Sequence, residues 1–368
     1  MSARTRPPFR ADHVGSLLRP PVLLRAREDF AAGRIDAAAL RAIEDDAVAA
    51  VVRRQQDVGL QAVTDGEFRR VDWFMDFKYS IGGVEKLPDT VKVPFRSKTG
   101  DIDFEFVAYR IGERMHLDRT IFAEDFRYLK SVAGVTPKLT MPSPSMMHYP
   151  AGRGVDRDVY PDWDLFFDDL AIIYRKQIAG LAALGCTYLQ LDDTSLAFLN
   201  DPKRRAMLGD GAETQHLRYI RLFNDAIAEK PDGMAICTHL CRGNFKSAWM
   251  AEGSYAHVAE ALLNDLNVDG FFLEYDDERS GGFEPLRFLP KGKMVVLGLV
   301  TTKTGKLESK DALKRRIDEA AKYAPLDQLC LSPQCGFAST AAGNLLTEDE
   351  QFAKLALIVD VAREVWGD

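Results

Sequence analysis

The chain has 368 residues, of which 46% are hydrophobic and 28% are charged, and its formal net charge is −7. This composition is typical of a soluble globular protein, and the length predicts either two domains or one large barrel. The acidic balance argues against a nucleic-acid partner, and no apolar run reaches the ~20 residues that a membrane-spanning helix needs.

The cysteines indicate a reducing environment and a functional cluster. The N-terminal region is arginine-rich but has no apolar segment, so we expect no secretory signal. An odd number of cysteines, in a chain too long to need disulfides, predicts a cytoplasmic location. The five cysteines are Cys186, Cys237, Cys241, Cys330 and Cys335. Four of them lie in the last part of the chain, where metal binding or catalysis is their more common role.

Helical patterns alternate with short apolar runs along the chain, and the runs end in polar, often acidic, residues. Helices are predicted over 36–58, 162–184 and 254–266, and each is followed by a glycine and then a strand. Eight strands are predicted, namely Phe9–Ser16, Leu60–Glu67, Pro137–Pro142, Thr187–Asp193, Met234–Cys241, Gly270–Tyr275, Met294–Thr301 and Leu329–Gly336. This alternation predicts a parallel sheet with helices outside it.

The strand number favours an α/β fold of the (β/α)8 TIM barrel type, as one catalytic domain over 1–368. A doubly wound open sheet is the competing fold, but no G-x-G-x-x-G motif follows the first strand. Residues 78–116 contain two period-two segments, 91–95 and 101–107, which predict an antiparallel β-hairpin inserted after the second strand. The insertion is a candidate lid or homodimer contact, and a surface ornament is an equal alternative.

In such a barrel the reactive side chains lie at the carboxyl ends of the strands. The polar residues at these predicted ends are Ser16, Asp65, Glu67, Asp192, Asp193, His239, Cys241, Glu274, Lys303 and Cys335. His239 and Cys241 are two apart on one strand, so they point to the same face and form half of a zinc site. A buried core pair explains them equally well until Glu274 and Cys335, at later strand ends, complete a four-ligand set.

Six segments, spread in order over nearly the whole chain, resemble the C-terminal catalytic barrel of the cobalamin-independent methionine synthases. This barrel belongs to the methionine synthase and uroporphyrinogen decarboxylase-like superfamily. The segments are His-Val-Gly-Ser at 13–16, Asp-Gly-Glu at 65–67, Leu-Gln-Leu-Asp at 189–192, His-Leu-Cys at 239–241, Phe-Leu-Glu at 272–274 and Pro-Gln-Cys-Gly at 333–336. The fold that the resemblance implies is the (β/α)8 barrel already predicted.

The resemblance also implies the site residues. It implies a Zn2+ ion held by His239, Cys241, Glu274 and Cys335, and an amino-acid thiol bound by Gly15, Ser16, Glu67 and Asp192. Ser16 would hold the substrate carboxylate, and Glu67 and Asp192 would pair with its ammonium group. His13 is a weaker candidate for contact with substrate or donor, and a packing role suits it equally. Cys237 also faces the His239 side, but core packing is its favoured interpretation.

The ligand set itself indicates the chemistry. Two thiolates and a carboxylate give a zinc site a formal charge of −1, which suits activation of an incoming thiol better than generation of hydroxide. We expect Glu274 to be the labile ligand that the thiol displaces. The ligand set therefore predicts alkyl transfer to a zinc-bound thiolate. The resemblance implies the specific reaction, zinc-dependent methyl transfer to homocysteine to give methionine, with 5-methyltetrahydrofolate as the first candidate donor.

Two departures from the family leave the donor open. Full-length members are about twice as long and carry a second barrel, and their tryptophan after the third strand is absent from the loop 141–149. Tyr149 and the loop methionines remain candidates for contact with a donor. The alternatives are a corrinoid or S-methyl donor, alkyl or epoxyalkyl transfer to a coenzyme-M-like thiol, a metal-free decarboxylase of the porphyrinogen class, and a structural zinc.

Overall fold

The computed structural model describes residues 4–97, 100–148, 154–209 and 211–367. Its strands are β1 (Ala62–Val63), β2 (Gly82–Phe95), β3 (Ile102–His116), β4 (Thr136–Pro142), β5 (Tyr188–Asp193), β6 (Ala235–Leu240), β7 (Gly270–Glu274), β8 (Met294–Val300) and β9 (Leu329–Pro333). Seven of them form one curled parallel sheet in the order β1-β4-β5-β6-β7-β8-β9. Consecutive strands of the sheet are neighbours, so all their carboxyl ends lie at one edge.

Helices follow the sheet strands and cover the outer face of the sheet. They are α1 (Pro21–Ala31), α2 (Ala37–Asp57), α3 (Met75–Lys78), α4 (Ala123–Val132), α5 (Trp163–Ala183), α6 (Ser195–Phe198), α7 (Pro202–Ala206), α8 (Gln215–Ile227), α9 (Ala259–Asp265), α10 (Lys310–Ala320) and α11 (Glu348–Trp366). The predicted helices over 36–58 and 162–184 are confirmed as α2 and α5, which begin after the capping aspartates Asp36 and Asp162. No helix among the described residues is long and apolar enough to cross a membrane.

The first predicted strand, Phe9–Ser16, is wrong as a strand. Only Ala11 pairs, as an isolated parallel bridge with Leu331 of β9. The carboxylate of Asp12 accepts hydrogen bonds from the backbone N–H groups of Phe9 and His13, so those groups are not available to a ladder. The segment still lies between the edges of the sheet, because Asp12 N donates to Leu331 O and Thr64 Oγ1 donates to Gly15 O.

The second predicted strand, Leu60–Glu67, is much shorter than expected. Only Ala62 and Val63 pair with β4. Thr64 N donates to the side chain of Gln55 instead of to a strand, and Gly66 and Glu67 adopt positive φ angles of 67° and 59°. The chain therefore turns sharply at the strand end, and this turn aims the Glu67 side chain.

The segment predicted as a hairpin contains the antiparallel pair β2–β3, in which Phe95 lies opposite Ile102 and Val84 opposite Ile111. The base of the pair continues from α3, and its far end contacts the loop after β6. Arg96 pairs with Trp249, and the Phe104 ring lies 5.2 Å from the Phe245 ring. The hairpin thus extends over the edge of the sheet at which the carboxyl ends meet.

The main hydrophobic core lies between the sheet and the helices, and a smaller cluster fills the inner face of the sheet. This cluster contains Phe9, Val14, Ala62, Tyr188, Cys237, Phe272, Met294, Val296 and Cys330. Lys138 is buried beside it, and its Nζ donates to Asp12 Oδ1 (3.0 Å) and His13 O (2.5 Å). Tyr188 Oη donates to the other oxygen of Asp12 (2.7 Å). This network fastens the 9–16 segment to β4 and β5.

We predict that Lys138→Met destabilises the protein by about 3–5 kcal/mol, because it leaves the buried Asp12 carboxylate without its cation. The exposed pair of Lys310 with Asp360 gives a control, since Lys310→Met removes only solvent-screened contacts. Urea unfolding of the two variants measures the difference in free energy of unfolding. A loss in Lys138→Met no larger than that in Lys310→Met would contradict the structural role of the Asp12 network.

Candidate metal centre

The carboxyl ends of three sheet strands bring four metal-ligating side chains together. His239 lies near the end of β6 and Cys241 follows that strand; Glu274 ends the neighbouring β7, and Cys335 lies two residues beyond β9. One potential ligand atom from each residue lies within 4.8 Å of all the others, and all four residues are buried. The four side chains that the strand-end argument selected are therefore one cluster.

Short contacts hold this cluster together. The Cys241 and Cys335 Sγ atoms are 3.4 Å apart, and His239 Nε2 lies 3.6 Å from Glu274 Oε1. The Gly243 N–H donates to Cys241 Sγ, and the Arg242 N–H donates to Glu274 Oε1 (3.1 Å). The second carboxylate oxygen of Glu274 is buried without a hydrogen-bond partner. One oxygen is thus oriented by the backbone and the other remains available.

The electrostatics of the cluster favour a cation at its centre. Burial alone lowers the pKa of His239, but Asp192, Glu274 and Cys335 together raise it well above its usual value. Burial alone raises the pKa of Glu274, but His239, Lys303 and Arg242 together lower it. The imidazole is thus held as a cation by surrounding anionic groups, and a metal ion supplies the same positive charge.

The donor set fits zinc. One imidazole, two thiols and one carboxylate are the ligand types that Zn2+ takes in tetrahedral sites, and a buried Glu274 oxygen without a partner is consistent with a missing bond to a metal. His239 Nδ1 lies 3.4 Å from Asp192 Oδ1 on the side away from Glu274. A carboxylate in that position orients a ligating histidine and leaves its Nε2 to face the metal.

A cavity is lined by three of the four ligands, His239, Cys241 and Cys335, and by three of the four residues predicted to bind the substrate. It is lined by Val14, Ser16, Glu67, Trp73, Asp192, His239, Cys241, Cys335 and Ser339. A larger cavity of about 510 Å³ lies beside α4 and α5 and contains no predicted site residue. We assign the site to the smaller cavity, because it combines convergent polar groups with perturbed pKa values.

Glu67 faces this cavity as a partly satisfied carboxylate. Thr140 Oγ1 donates to its Oε1 (2.7 Å) and Arg70 Nη1 lies 3.7 Å from the same oxygen, whereas Oε2 is buried without a partner. Burial raises the pKa of Glu67 to about 7 despite Arg70, and Asp192 adds to the rise. The neighbouring cations therefore do not fully compensate the cost of burying the ionised Glu67 carboxylate.

Two glycines let the loops of the site approach closely. Gly15 has a φ of 138°, and a Cβ there would lie 2.5 Å from Thr140 Cγ2. A Cβ on Gly336 would lie 1.9 Å from the Ser16 hydroxyl oxygen. Any larger residue at either position would push the 13–16 segment away from Glu67 or from the Cys335 loop.

Two other predicted candidates lie apart from the cluster. His13 is buried beside Asp12, Ala62 and Gln55, and burial lowers its pKa to about 4. It is not among the residues that line the cavity. Cys237 belongs to the inner hydrophobic cluster and lies two residues before His239 on the same face of β6.

Three strand-end polar residues take part in local hydrogen bonds instead. Asp65 accepts from the Glu67 N–H, and Lys303 Nζ donates to Asn244 Oδ1 and Ala248 O. The buried Asp193 carboxylate accepts from the hydroxyl groups of Ser143, Ser145 and Ser195 and from the Leu196 N–H. These contacts tie neighbouring loops together at the rim of the site.

The sequence argument missed Trp73, which lines the cavity. Its backbone N–H donates to the backbone oxygen of Ser339, another lining residue, and its ring centroid lies 4.9 Å from that of Phe74. The loop between β1 and α3 carried no strand-end signal, because Trp73 lies six residues beyond Glu67. Tyr149, the donor contact suggested by the sequence, lies outside the described residues.

The chain is similar to a family model and to several known proteins. Residues 131–364 match a family model described as "Cobalamin-independent synthase, Catalytic domain". The uncharacterized protein YxjH of Bacillus subtilis is 46% identical over 98% of this chain and 95% of its own length. The methionine synthase of Pyrococcus abyssi is 25% identical over 96% of this chain and 91% of its own length.

A solved structure is similar over the full length of both chains. It is a candidate vitamin-B12 independent methionine synthase from Listeria monocytogenes, 37% identical to this chain, with a TM-score of 0.80. The alignment covers 99% of this chain and 100% of that protein. The likeness therefore extends over nearly the whole of both chains.

We predict that Cys335→Ala abolishes metal binding whereas Cys330→Ala and Cys237→Ala do not. All three thiols are buried, but only Cys335 belongs to the four-ligand cluster. The parent protein should carry about one zinc per chain, and Cys335→Ala less than about a tenth of that after dialysis against a chelator, because one of four bonds is lost. Elemental analysis of the purified proteins measures this. Equal metal loss in all three variants would argue against the assigned ligand set.

We predict that Glu67→Gln stabilises the metal-free protein at pH 8 by an amount on the order of 2 kcal/mol, and much less at pH 5. The pKa of Glu67 is about 7 in the folded state against 4.5 ordinarily, so the folded protein loses stability as the pH rises between those values. The amide has no proton to lose. Urea unfolding across pH 5–8 checks this, and a pH-independent difference between the proteins would contradict it.

Proposed function

The chain belongs to the cobalamin-independent methionine synthase family, a family of methyltransferases, and on this basis we propose that it methylates the thiol of homocysteine to give methionine. The observation that carries the proposal is the position of the His239, Cys241, Glu274 and Cys335 cluster. Three of its members, His239, Cys241 and Cys335, line the same cavity as Glu67 and Asp192. Candidate ligands for a metal that can bind sulfur thus lie beside carboxylates that can bind an ammonium group.

We propose that the four clustered residues hold one zinc ion. Zinc bound there lowers the pKa of a substrate thiol and keeps the sulfur electron-rich. His239 is oriented for this role by Asp192, and the Gly243 N–H contacts the sulfur of Cys241. Glu274 is the ligand that we expect the substrate sulfur to replace, because the carboxylate is the most weakly held of the four ligands.

The charges around the cavity favour an amino-acid thiol. Glu67 has a buried oxygen without a partner, which an ammonium group can satisfy. Ser16 lies at the cavity wall, where its hydroxyl can donate to the substrate carboxylate. We propose these roles together with that of Asp192, while Gly15 gives the Ser16 loop its close approach.

A sulfonate thiol fits the same cavity poorly. Such a substrate needs a cation, and the arginines beside the Ser16 and Glu67 loops already bind acceptors, whereas Arg242 packs on the Tyr255 ring and does not line the cavity. The Arg19 guanidinium donates to four backbone carbonyls, those of Glu67, Arg70, Ala338 and Thr340. Arg70 donates to Thr140, and Arg69 pairs with Asp45. Among the described lining residues there is no lysine or arginine.

The proposed reaction is a transfer of a methyl group between two nucleophilic atoms. The homocysteine thiol gives its proton to the solvent, and a sulfur lone pair forms the new bond to the methyl carbon. The bond between that carbon and the donor atom breaks, and the donor atom keeps the electron pair and takes up a proton. We propose 5-methyltetrahydrofolate as the first donor to test.

We infer that the 9–16 segment completes the curled sheet as a closed (β/α)8 barrel over 1–368. The segment bonds to β9 through Asp12 and to Thr64 beside β1, so it spans the gap between the two edge strands. Ser16 lies at its end, as the other site residues lie at strand ends. All five cysteines are free and buried, which is consistent with the cytoplasmic location that we propose.

X-ray absorption at the zinc edge tests the substrate assignment. We predict that homocysteine adds one sulfur ligand to zinc and removes one oxygen ligand, because the thiolate replaces Glu274. Two matched thiols are the controls, 4-mercaptobutanoate, which lacks the ammonium group, and 2-mercaptoethanesulfonate, which also replaces the carboxylate. At equal concentration neither should alter the zinc spectrum. A change with the sulfonate alone would replace homocysteine by the coenzyme-M-like alternative.

Methionine formation by the zinc-loaded protein then identifies the donor. The donors to compare are 5-methyltetrahydrofolate with one or several glutamates, methylcobalamin and S-methylmethionine. Product from any one of them establishes the methyl transfer. No product from all of them, with homocysteine shown to be bound, would exclude these donor classes.

A further inference from the structure

Arg242 is the most anomalous charged residue near the metal centre. It follows the ligand Cys241, its side chain is fully buried, and its Nε, Nη1 and Nη2 atoms all lack a hydrogen-bond partner among the described residues. The guanidinium lies over the ring of Tyr255, 4.5 Å from its centroid. A buried cation without an acceptor is costly, so a site for an anion is expected beside it.

Glu274 is the carboxylate in the right place. The Arg242 N–H already donates to Glu274 Oε1, and the hydroxyl of Tyr255, on which the guanidinium packs, accepts from the Glu274 N–H (2.9 Å). The guanidinium itself makes no ion pair with Glu274 as the structure stands. The Glu274 side chain instead faces His239, and its Oε2 has no hydrogen-bond partner.

The other two cations near Glu274 are already bound to acceptors. Lys303 donates to Asn244 Oδ1 and Ala248 O, and Arg279 pairs with Asp276 and Asp277. Arg279 keeps one nitrogen without a partner, Nη1, but its charge is already paired. Arg242 makes no ion pair, and all three of its guanidinium nitrogens lack a hydrogen-bond partner among the described residues. A carboxylate that leaves the metal cluster stays buried, because Glu274 is 0% exposed, and it needs such donors at once.

We propose that Arg242 receives the Glu274 carboxylate when the substrate sulfur takes its place among the metal ligands. This inference rests on the proposed function and gives Arg242 the role of a positioning residue. In the exchange the Glu274 oxygen–metal bond breaks and the sulfur–metal bond forms. The thiol proton leaves to the solvent, and the charged carboxylate forms hydrogen bonds with the guanidinium. The ion pair offsets the loss of the metal bond and so promotes thiol binding.

The test uses the zinc-loaded full chain with Arg242→Met, which keeps an unbranched apolar side chain and removes the guanidinium and its charge. We expect zinc content to remain near that of the parent, because all four ligands are present. Homocysteine binding, measured by calorimetry, should weaken by about 30-fold or more, the effect of removing one partner of a buried ion pair. At the zinc edge, the oxygen ligand should persist at homocysteine concentrations that remove it from the parent. Arg242→Lys should restore part of both responses.

Arg10→Met is the matched control. Arg10 is also a buried arginine beside an aromatic ring, that of Trp366, but it lies at the opposite end of β9 and donates to Asp327 O and Leu329 O. Its loss should lower the thermal midpoint without changing homocysteine affinity. Arg242→Met should show the reverse, weaker binding with little change in the midpoint, because the guanidinium makes no ion pair in the substrate-free protein and loses only its packing on the Tyr255 ring.

A double-mutant cycle keeps the proposal testable if Arg242→Met retains zinc poorly. In a Glu274→Gln background the displaced side chain carries no charge, so Arg242→Lys and Arg242→Met should then have the same homocysteine affinity. Equal affinities of parent and Arg242→Met, with the same sulfur gain at the zinc edge, would overturn the proposal. A parent protein that gains no sulfur from homocysteine would instead overturn the proposed function, so the two failures are distinguishable.

Discussion

The site is built around a concentration of buried acidic groups at the carboxyl edge of the sheet. Two thiols, Glu274, Asp192 and Glu67 all lie within one region from which water is largely excluded. Such groups are tolerated in a protein interior only when cations or donors surround them. The surrounding acidic groups raise the pKa of His239 well above its usual value. The local geometry, with its close glycines and oriented imidazole, has the form expected of a site that a metal ion and a cationic substrate complete.

The same principle operates below the site, where the protein supplies its own cation. The Lys138 ammonium neutralises Asp12, and Tyr188 binds the second oxygen of that carboxylate. This pair fixes the 9–16 segment, which has almost no ladder hydrogen bonds of its own, against the inner face of the sheet. Since Ser16 ends this segment, the position of a proposed substrate contact depends on a buried ion pair several residues away.

The four candidate metal ligands could be predicted from the sequence because the strand ends of a parallel sheet lie at one edge. Once β6, β7 and β9 were recognised from their apolar runs, His239, Glu274 and Cys335 had to lie near each other. The 9–16 segment could not be predicted correctly in the same way, because the Asp12 side chain takes the N–H groups that a strand would use. Trp73 and the serine contacts of Asp193 depend on loop conformations, which hydrophobic periodicity does not describe.

Arg242 shows a different limit of sequence reasoning. The sequence shows only that it follows Cys241. In the structure the guanidinium packs on the Tyr255 ring and does not line the cavity, and neither contact can be read from the position of the residue in the sequence.

The pKa values of the two glutamates of the site are shifted in opposite directions. Burial raises the pKa of Glu67 to about 7, since Arg70 compensates only part of the cost, whereas cations around the buried Glu274 lower its pKa. Glu67 therefore becomes fully anionic only when a further cation arrives, as the ammonium group of an amino acid would. Glu274 is anionic already, and two cationic groups lie within reach, the His239 imidazole and the Arg242 guanidinium. In the proposed reaction one carboxylate thus responds to the nitrogen of the substrate and the other to its sulfur, which is why we propose an amino-acid thiol.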